Sequence, residues 1–313
     1  MSSLLDTFRY GGGTPIFRRT EAAMTTNVSY EGTLRELATD QGVLRYHEAG
    51  DGPPLLMLHG SGPGVSGWQN FRGNLDVFAR HFRCLVLEFP GFGVSDPADG
   101  HPMVTAPAAV VRFLDGLGLD RASIIGNSMG GIVAANVAMS HPERVNRMVS
   151  IGGIGKNIFA PSPGEGIRLL MDFAENPTRE ALVRWLHSMV YDPAMVTEEL
   201  IEERWALANE PATLESMRQM YSRKAMAAQA KAAAAADTAP YWAMLHKVQA
   251  PTLLTWGRDD RVSPVDMANL AMRTLPQGEL HVFPNCGHWV MIEQKDAFEN
   301  AALAFLTREE QRR

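Results

Sequence analysis

Residues 124–131 read IIGNSMGG, two β-branched residues followed by a serine with glycine two positions away on either side. The pentapeptide Gly126-Asn127-Ser128-Met129-Gly130 fits G-x-S-x-G. It follows the apolar run ASIIGN (122–127) and opens the helical pattern MGGIVAANVAMS (129–140). In that strand-turn-helix setting the glycines let backbones approach, so a serine can stand on a sharp, strained turn with its oxygen exposed. For the pentapeptide alone, a glycine-rich turn with an incidental serine is the competing reading. The turn by itself does not explain why an amide, Asn127, stands directly before the hydroxyl.

A serine hydroxyl is a weak nucleophile until a base takes its proton, so the motif makes a demand on the rest of the chain. An acid is expected after a later strand, and a histidine after the last one. LLTWGRDDR (253–261) places Asp259 and Asp260 at the end of an apolar run, and FPNCGHW (283–289) places His288 just beyond the final one. Asp260 is chosen because Gly257 to Asp260 fits G-x-x-D, which leaves Asp259 as a loop or solvent residue. Of nine histidines, only His288 follows the last strand in a glycine-bearing loop. His59 sits in the turn HGSGPG (59–64), and His281 lies inside a strand. An oxyanion needs donors already in place. The N–H of Met129, next after the nucleophile, supplies one, and the early loop at 59–64 supplies another, assigned to Ser61.

Around this turn, eight short apolar runs are bounded by turn residues: TLRELAT, VLRYHEA, PLLMLHG, RCLVLEF, ASIIGN, VNRMVSIGG, PTLLTWG and GELHVFP. The first two alternate and suit an antiparallel edge. Several later ones are continuously apolar, as strands of a parallel sheet covered on both faces are. Helical spacing recurs at 105–118, 129–140, 264–275 and 294–306, so strand and helix alternate and predict a mostly parallel α/β sheet. Between VNRMVSIGG and PTLLTWG, residues 155–248 hold helix formers and no strand-like run, including TREALVRWLHSMVY, TEELIEERWALANE and LESMRQMYSRKAMAAQAKAAAAA. These predict a helical cap at 155–248 over a core built from 30–154 and 249–313. Residues 1–29 are expected to be a flexible extension, with Met24 a candidate second start.

The chain has 313 residues, 45% hydrophobic and 20% charged, the composition of a globular protein with a sizeable core. A formal net charge of −6 offers no basic surface for nucleic acid. Two cysteines, Cys84 and Cys286, cannot form a disulfide scaffold and lack CxxC spacing. No run reaches the length of a membrane span, and no secretory leader is read at the start. The expectations are a cytoplasmic protein with a small-molecule partner, without metal, organic cofactor, nucleic acid or membrane partner.

Together, HGSGPGVSGWQNF (59–71), GNSMGG (126–131), WGRDDRVSP (256–264) and CGHWVMIE (286–293) resemble the meta-cleavage product hydrolases, a family of the α/β-hydrolase fold. The resemblance runs from about residue 30 to 306. It implies an eight-stranded, mostly parallel sheet with an inserted cap, and a homo-oligomer. It also implies cleavage of the C5–C6 bond of ring-opened 2-hydroxy-6-oxohexa-2,4-dienoates from aromatic or steroid catabolism, by ketonisation and then hydrolysis with Ser128, Asp260 and His288. It supplies a role for Asn127 as well. In this family the asparagine before the nucleophile binds the dienoate, together with positions that match Asn70, Arg204 and Trp289. A guanidinium suits the carboxylate, amides suit the oxo and enolate oxygens, and an indole lies along the diene.

Each of these has a plainer alternative. Asn127 or Asn70 could cap a helix, Arg204 could pair with Glu202 or Glu203, and Trp289 could be core. Two features depart from the family pattern: Glu88 replaces an aspartate, and Ser61 replaces a common glycine. The Ala- and Met-rich stretch 220–236 is where the group on carbon 6 is expected. Two other functions compete: a carboxylesterase or lactonase with the same three residues, and a slow-turnover, ligand-sensing α/β-hydrolase.

Overall fold

A computed structural model describes residues 28–157, 159, 163–237 and 239–309. Nearly all of the expected extension at 1–29, and Met24 with it, lies outside the described residues. All eight apolar runs are strands: β1 (Leu34–Thr39), β2 (Gly42–Ala49), β3 (Pro54–Leu58), β4 (Arg83–Leu87), β5 (Ala122–Asn127), β6 (Val145–Ile151), β7 (Thr252–Gly257) and β8 (Gly278–Phe283). They form one sheet in the order β1-β2-β4-β3-β5-β6-β7-β8. The alternating pair β1 and β2 is antiparallel, and β2 also meets β4 antiparallel; every later pairing is parallel.

Side chains alternate across a strand, and in the central strands both faces are buried. On β3, Leu55 and Met57 join one core while Leu56 and Leu58 join the other. Ile125 and Ile124 divide in the same way on β5, and Leu253 and Leu254 on β7. The first core is closed by Phe71, Leu75 and Phe78 of the helix Gly67–Ala79 and by Phe298, Ala302 and Phe305 of Lys295–Leu306. The second is closed by Pro102–Gly116, Met129–Ser140 and Asp266–Thr274. Burying a phenylalanine such as Phe71 stabilises the fold by roughly 1.5–3 kcal/mol.

Between β6 and β7 lie the helices Glu165–Glu175, Arg179–Met189, Glu198–Ala208, Pro211–Tyr221 and Arg223–Ala235. Thr178 and Thr197 start two of them by accepting backbone N–H groups, at Ala181 and Leu200. The apparently continuous helical stretch at 214–236 is two helices. Ser222 takes an extended ψ of 148° and accepts the Ala225 N–H, while Glu175 accepts the Arg223 N–H. The second of the two, Arg223–Ala235, buries no side chain. Among the described residues, no helix is long and apolar enough to cross a membrane.

Candidate active site

Ser128 stands between β5 and the helix Met129–Ser140 with φ 52° and ψ −114°, a left-handed conformation that costs a residue bearing a Cβ about 1–3 kcal/mol. The surroundings hold it there. Its own N–H donates to the Ile151 carbonyl, and its carbonyl accepts the N–H groups of Gly131 and Ile132. The next turn passes so close to β3 that a Cβ on Gly130 would collide with the Leu58 carbonyl oxygen. The G-x-S-x-G spacing is therefore a packing requirement that leaves the serine side chain at the surface of a cavity.

His288 Nδ1 lies 2.7 Å from Asp260 Oδ2, and both side chains are 1% exposed. The other oxygen of Asp260 accepts from the Val262 and Ser263 N–H groups, 2.8 Å each, so the carboxylate is held on both sides. The backbone of His288 is tied to the inserted helices by its N–H, which donates to the Met189 carbonyl at 2.7 Å. Ser128 and His288 line the same cavity, and no hydrogen bond joins their side chains among the described residues. Asp259 turns away, pairing with Arg258 at 3.2 Å. His59 is a structural residue: its Nε2 accepts the Phe89 N–H at 3.0 Å, and burial lowers its pKa to about 4, which keeps it neutral. His281 stacks on Phe283 within β8.

The cavity has a volume of about 340 Å³ and is walled by Ser61, Asn70, Asn127, Ser128, Met129, Arg204, His288 and Trp289. These are all of the predicted site residues except Asp260, which stands behind the histidine. Met129 occupies the first position of its helix, where helix geometry offers its N–H no carbonyl. Asn70 lies inside Gly67–Ala79, a helix capped by Ser66, so the reading of Asn70 as a helix cap is corrected. Its Nδ2 donates to Asn127 Oδ1 at 3.0 Å, while Asn127 Nδ2 donates to the Ile151 carbonyl at 3.3 Å.

Arg204 is 1% exposed and lies over Trp289, its guanidinium carbon 5.0 Å from the ring centroid. The two neighbouring glutamates are engaged elsewhere, Glu202 by Arg179 and Glu203 by Arg72. Desolvation lowers the Arg204 pKa to about 10, which still leaves a full charge at neutral pH. Its Nε and Nη1, together with Asn70 Oδ1 and Trp185 Nε1, are buried without a hydrogen-bond partner. Such groups are costly to bury unpaired. Asn70, Trp185 and Arg204 all contribute to the wall of the cavity, so it carries a buried positive charge without a counter-charge among the described residues. The same wall holds the apolar side chains of Met103, Ile132, Ile167, Leu170, Met220 and Trp242, and Lys156, whose Nζ lies 5.3 Å from the Trp242 ring centroid.

Of the Ala- and Met-rich stretch 220–236, where the group on carbon 6 is expected, Met220 and Tyr221 line this cavity and the other residues do not. Two wall residues carry no sequence signal. Trp185, packed edge-on to Trp289 with 6.2 Å between ring centroids, reads as the apolar face of a helix. Tyr221 reads as part of a long helical run. Glu88 is buried one layer out and accepts the N–H groups of Gly67 and Trp68, anchoring the helix that carries Asn70.

Eight strands in this order, with a serine on the turn after β5, define the α/β-hydrolase class. The α/β hydrolase fold family matches residues 53–295. A 2-hydroxy-6-oxo-6-phenylhexa-2,4-dienoate hydrolase of Burkholderia cepacia is 37% identical over 280 residues, covering 88% of this chain and 94% of that protein. A 2-hydroxy-6-oxononadienedioate/2-hydroxy-6-oxononatrienedioate hydrolase of Comamonas testosteroni is 34% identical, with the same coverage of each. A solved meta-cleavage product hydrolase of Pseudomonas fluorescens superposes with a TM-score of 0.78 at 28% identity, covering 88% of this chain and 97% of that one. The chain belongs to the meta-cleavage product hydrolases of the α/β-hydrolase fold.

Proposed function

We propose that the protein hydrolyses the C5–C6 bond of a 2-hydroxy-6-oxohexa-2,4-dienoate, and the observation that carries this reading is the buried, unpaired guanidinium of Arg204 in the wall of the Ser128 cavity. An ordinary ester would leave the buried guanidinium without a counter-charge, whereas a dienoate carboxylate gives it a charge-assisted, bidentate partner. The Asn70 and Asn127 amides suit the oxygen at carbon 2, and Trp289 suits the planar diene. The apolar side chains of the cavity wall suit the hydrocarbon part of the group on carbon 6, and Lys156 beside Trp242 leaves its charge open.

In the first half of the reaction the dienol gains a proton at carbon 5 and becomes a ketone. Ser128 Oγ then attacks carbon 6 while His288, oriented by Asp260, takes the serine proton. The Ser61 and Met129 N–H groups face the oxygen that becomes negative. The C5–C6 bond breaks with its electrons passing to carbon 5 and, through conjugation, to the oxygen on carbon 2. His288 gives the serine proton to the departing dienolate, which leaves as 2-hydroxypenta-2,4-dienoate, and the neutral imidazole then deprotonates the water that releases the acid from Ser128.

On the same reading, 155–248 acts as a cap over a core of 30–154 and 249–313, since its helices supply Trp185, Arg204 and Tyr221 to the cavity wall. Two buried, unpaired cysteines suit the cytoplasm. Homo-oligomeric assembly, which the family resemblance implies, belongs to the proposal too, and a monomer mass by light scattering would remove it. Incubation with 2-hydroxy-6-oxo-6-phenylhexa-2,4-dienoate, with products separated by chromatography, tests the reaction. Benzoate and 2-hydroxypenta-2,4-dienoate in equal amounts are expected. An unchanged dienoate beside rapid p-nitrophenyl ester hydrolysis would favour an esterase.

A further inference from the structure

The loop 59–64 after β3 is pinned by three of the inserted helices. Trp185 of Arg179–Met189 packs so close to Gly62 that a Cβ there would collide with the indole. The Arg204 carbonyl of Glu198–Ala208 lies against Gly64. Tyr221, the last residue of Pro211–Tyr221, sets its hydroxyl 2.5 Å from Ser61 Oγ. The first two contacts work by shape alone. The third is a hydrogen bond that restrains Ser61, the one residue of the 59–64 loop with a side chain in the lining of the Ser128 cavity, and neither hydroxyl has another hydrogen-bond partner among the described residues.

We infer that Tyr221 is a positioning residue: by holding Ser61 it fixes the direction of the Ser61 N–H toward the oxygen on carbon 6, so that the oxyanion geometry depends on how the inserted helices are seated. The inference rests on the proposed role of the Ser61 N–H. An oxyanion donor acts only when it stands within hydrogen-bond distance of the position where charge develops, and loss of one costs about 10²–10³ in rate. A donor that is loosened rather than lost should cost less, about 10-fold. Burial pushes the Tyr221 phenol above its ordinary value, so the hydroxyl stays protonated across the working range and its effect should not vary with pH.

The step affected separates this role from a merely structural one. Ketonisation withdraws the share of charge that the conjugated dienolate places on the oxygen at carbon 6, whereas cleavage and ester acylation build a full oxyanion there, so a loosened donor slows only the latter two. In stopped-flow turnover of 2-hydroxy-6-oxo-6-phenylhexa-2,4-dienoate, Tyr221→Phe is expected to slow the cleavage phase about 10-fold. The ketonisation phase and KM should stay within 2-fold of the parent. Acylation by p-nitrophenyl acetate should slow by the same factor, Ser61→Ala should match it, and the double variant should be no slower than either. A cleavage phase at the parent rate, equal slowing of both phases, or single effects that multiply in the double variant would overturn the inference. Should Tyr221→Phe fold poorly, Ser61→Ala gives the same phase comparison. If the parent protein leaves the dienoate unchanged, the reaction proposed above fails, while the ester arm still decides the role of Tyr221.

Discussion

Asn70 Nδ2 donates to Asn127 Oδ1 across 3.0 Å, joining the helix after the 59–64 loop to the residue just before the nucleophile. The pairing orients both amides and leaves Asn70 Oδ1 buried with no partner. Removing one member of a buried pair leaves the other unsatisfied, at about 1–3 kcal/mol. Asn127→Ala should therefore lower kcat/KM for the phenyl dienoate by about 10–100-fold. An ester without a dienoate needs neither amide, so p-nitrophenyl acetate hydrolysis should stay within about 3-fold. Steady-state kinetics with the two substrates check the contrast, and equal losses on both would show that Asn127 merely supports the turn.

Asp260 holds the His288 ring through Nδ1, with its second oxygen occupied by two backbone N–H groups. Asp260→Asn retains the volume but turns the hydrogen-bond polarity toward the ring, favouring the wrong imidazole tautomer. A loss in kcat of about 10³–10⁴-fold with KM little changed is expected from that mechanism. Asp259→Asn, on a side chain that pairs with Arg258, should leave kcat within 2-fold.

Gly130 abuts the backbone of β3, and an added methyl has no flexible neighbour to displace. Gly130→Ala should destabilise the protein by at least about 2 kcal/mol, the scale of an overpacked core. Urea denaturation followed by circular dichroism measures this, and a midpoint equal to that of the parent would contradict the close approach.

Burial raises the Glu88 pKa to about 7, against the opposing effect of two backbone N–H donors. An acid with a raised folded pKa binds more protons folded than unfolded between about 4.5 and 7. Its stabilising contribution is full below the lower value and is lost as pH rises through the upper one. His47 and His59, at 3.9 and 4.0 Å, are lowered to about 4 and act with the opposite sign. Both histidines remain in Glu88→Gln, so the difference between the two proteins isolates the carboxylate. The stability of Glu88→Gln relative to the parent should rise from pH 4.5 to pH 8 by about 2–3 kcal/mol. A pH-independent difference in thermal unfolding would contradict it.

The central strands were legible because the sheet is buried on both faces there, which writes nearly continuous apolar runs such as LLML into β3 and ASIIG into β5, while β1 at the edge keeps exposed positions. The Ser128, Asp260 and His288 positions were legible because each follows a strand end in a glycine-bearing turn. The inserted helices were harder. Helix formers continue without interruption through 214–236, and only a tertiary contact, Glu175 to the Arg223 N–H, shows why the chain breaks at Ser222. Trp185 and Tyr221 were invisible as wall residues for the same reason, since helical spacing does not tell a face turned to a core from one turned to a cavity. The partners of Asn70 and Arg204 depend on contacts with residues more than fifty positions away or on the lack of any, and local pattern records neither.

The proposed selection of a dienoate by the buried, unpaired Arg204 is decided by single-turnover stopped flow with 2-hydroxy-6-oxo-6-phenylhexa-2,4-dienoate. Truncating one member of a desolvated charge pair costs about 2–5 kcal/mol, so Arg204→Ala should lose roughly 30–5000-fold in kcat/KM for this substrate. Hydrolysis of p-nitrophenyl acetate should remain within about 3-fold of the parent. Dienoate turnover at the parent rate in Arg204→Ala would contradict that selection.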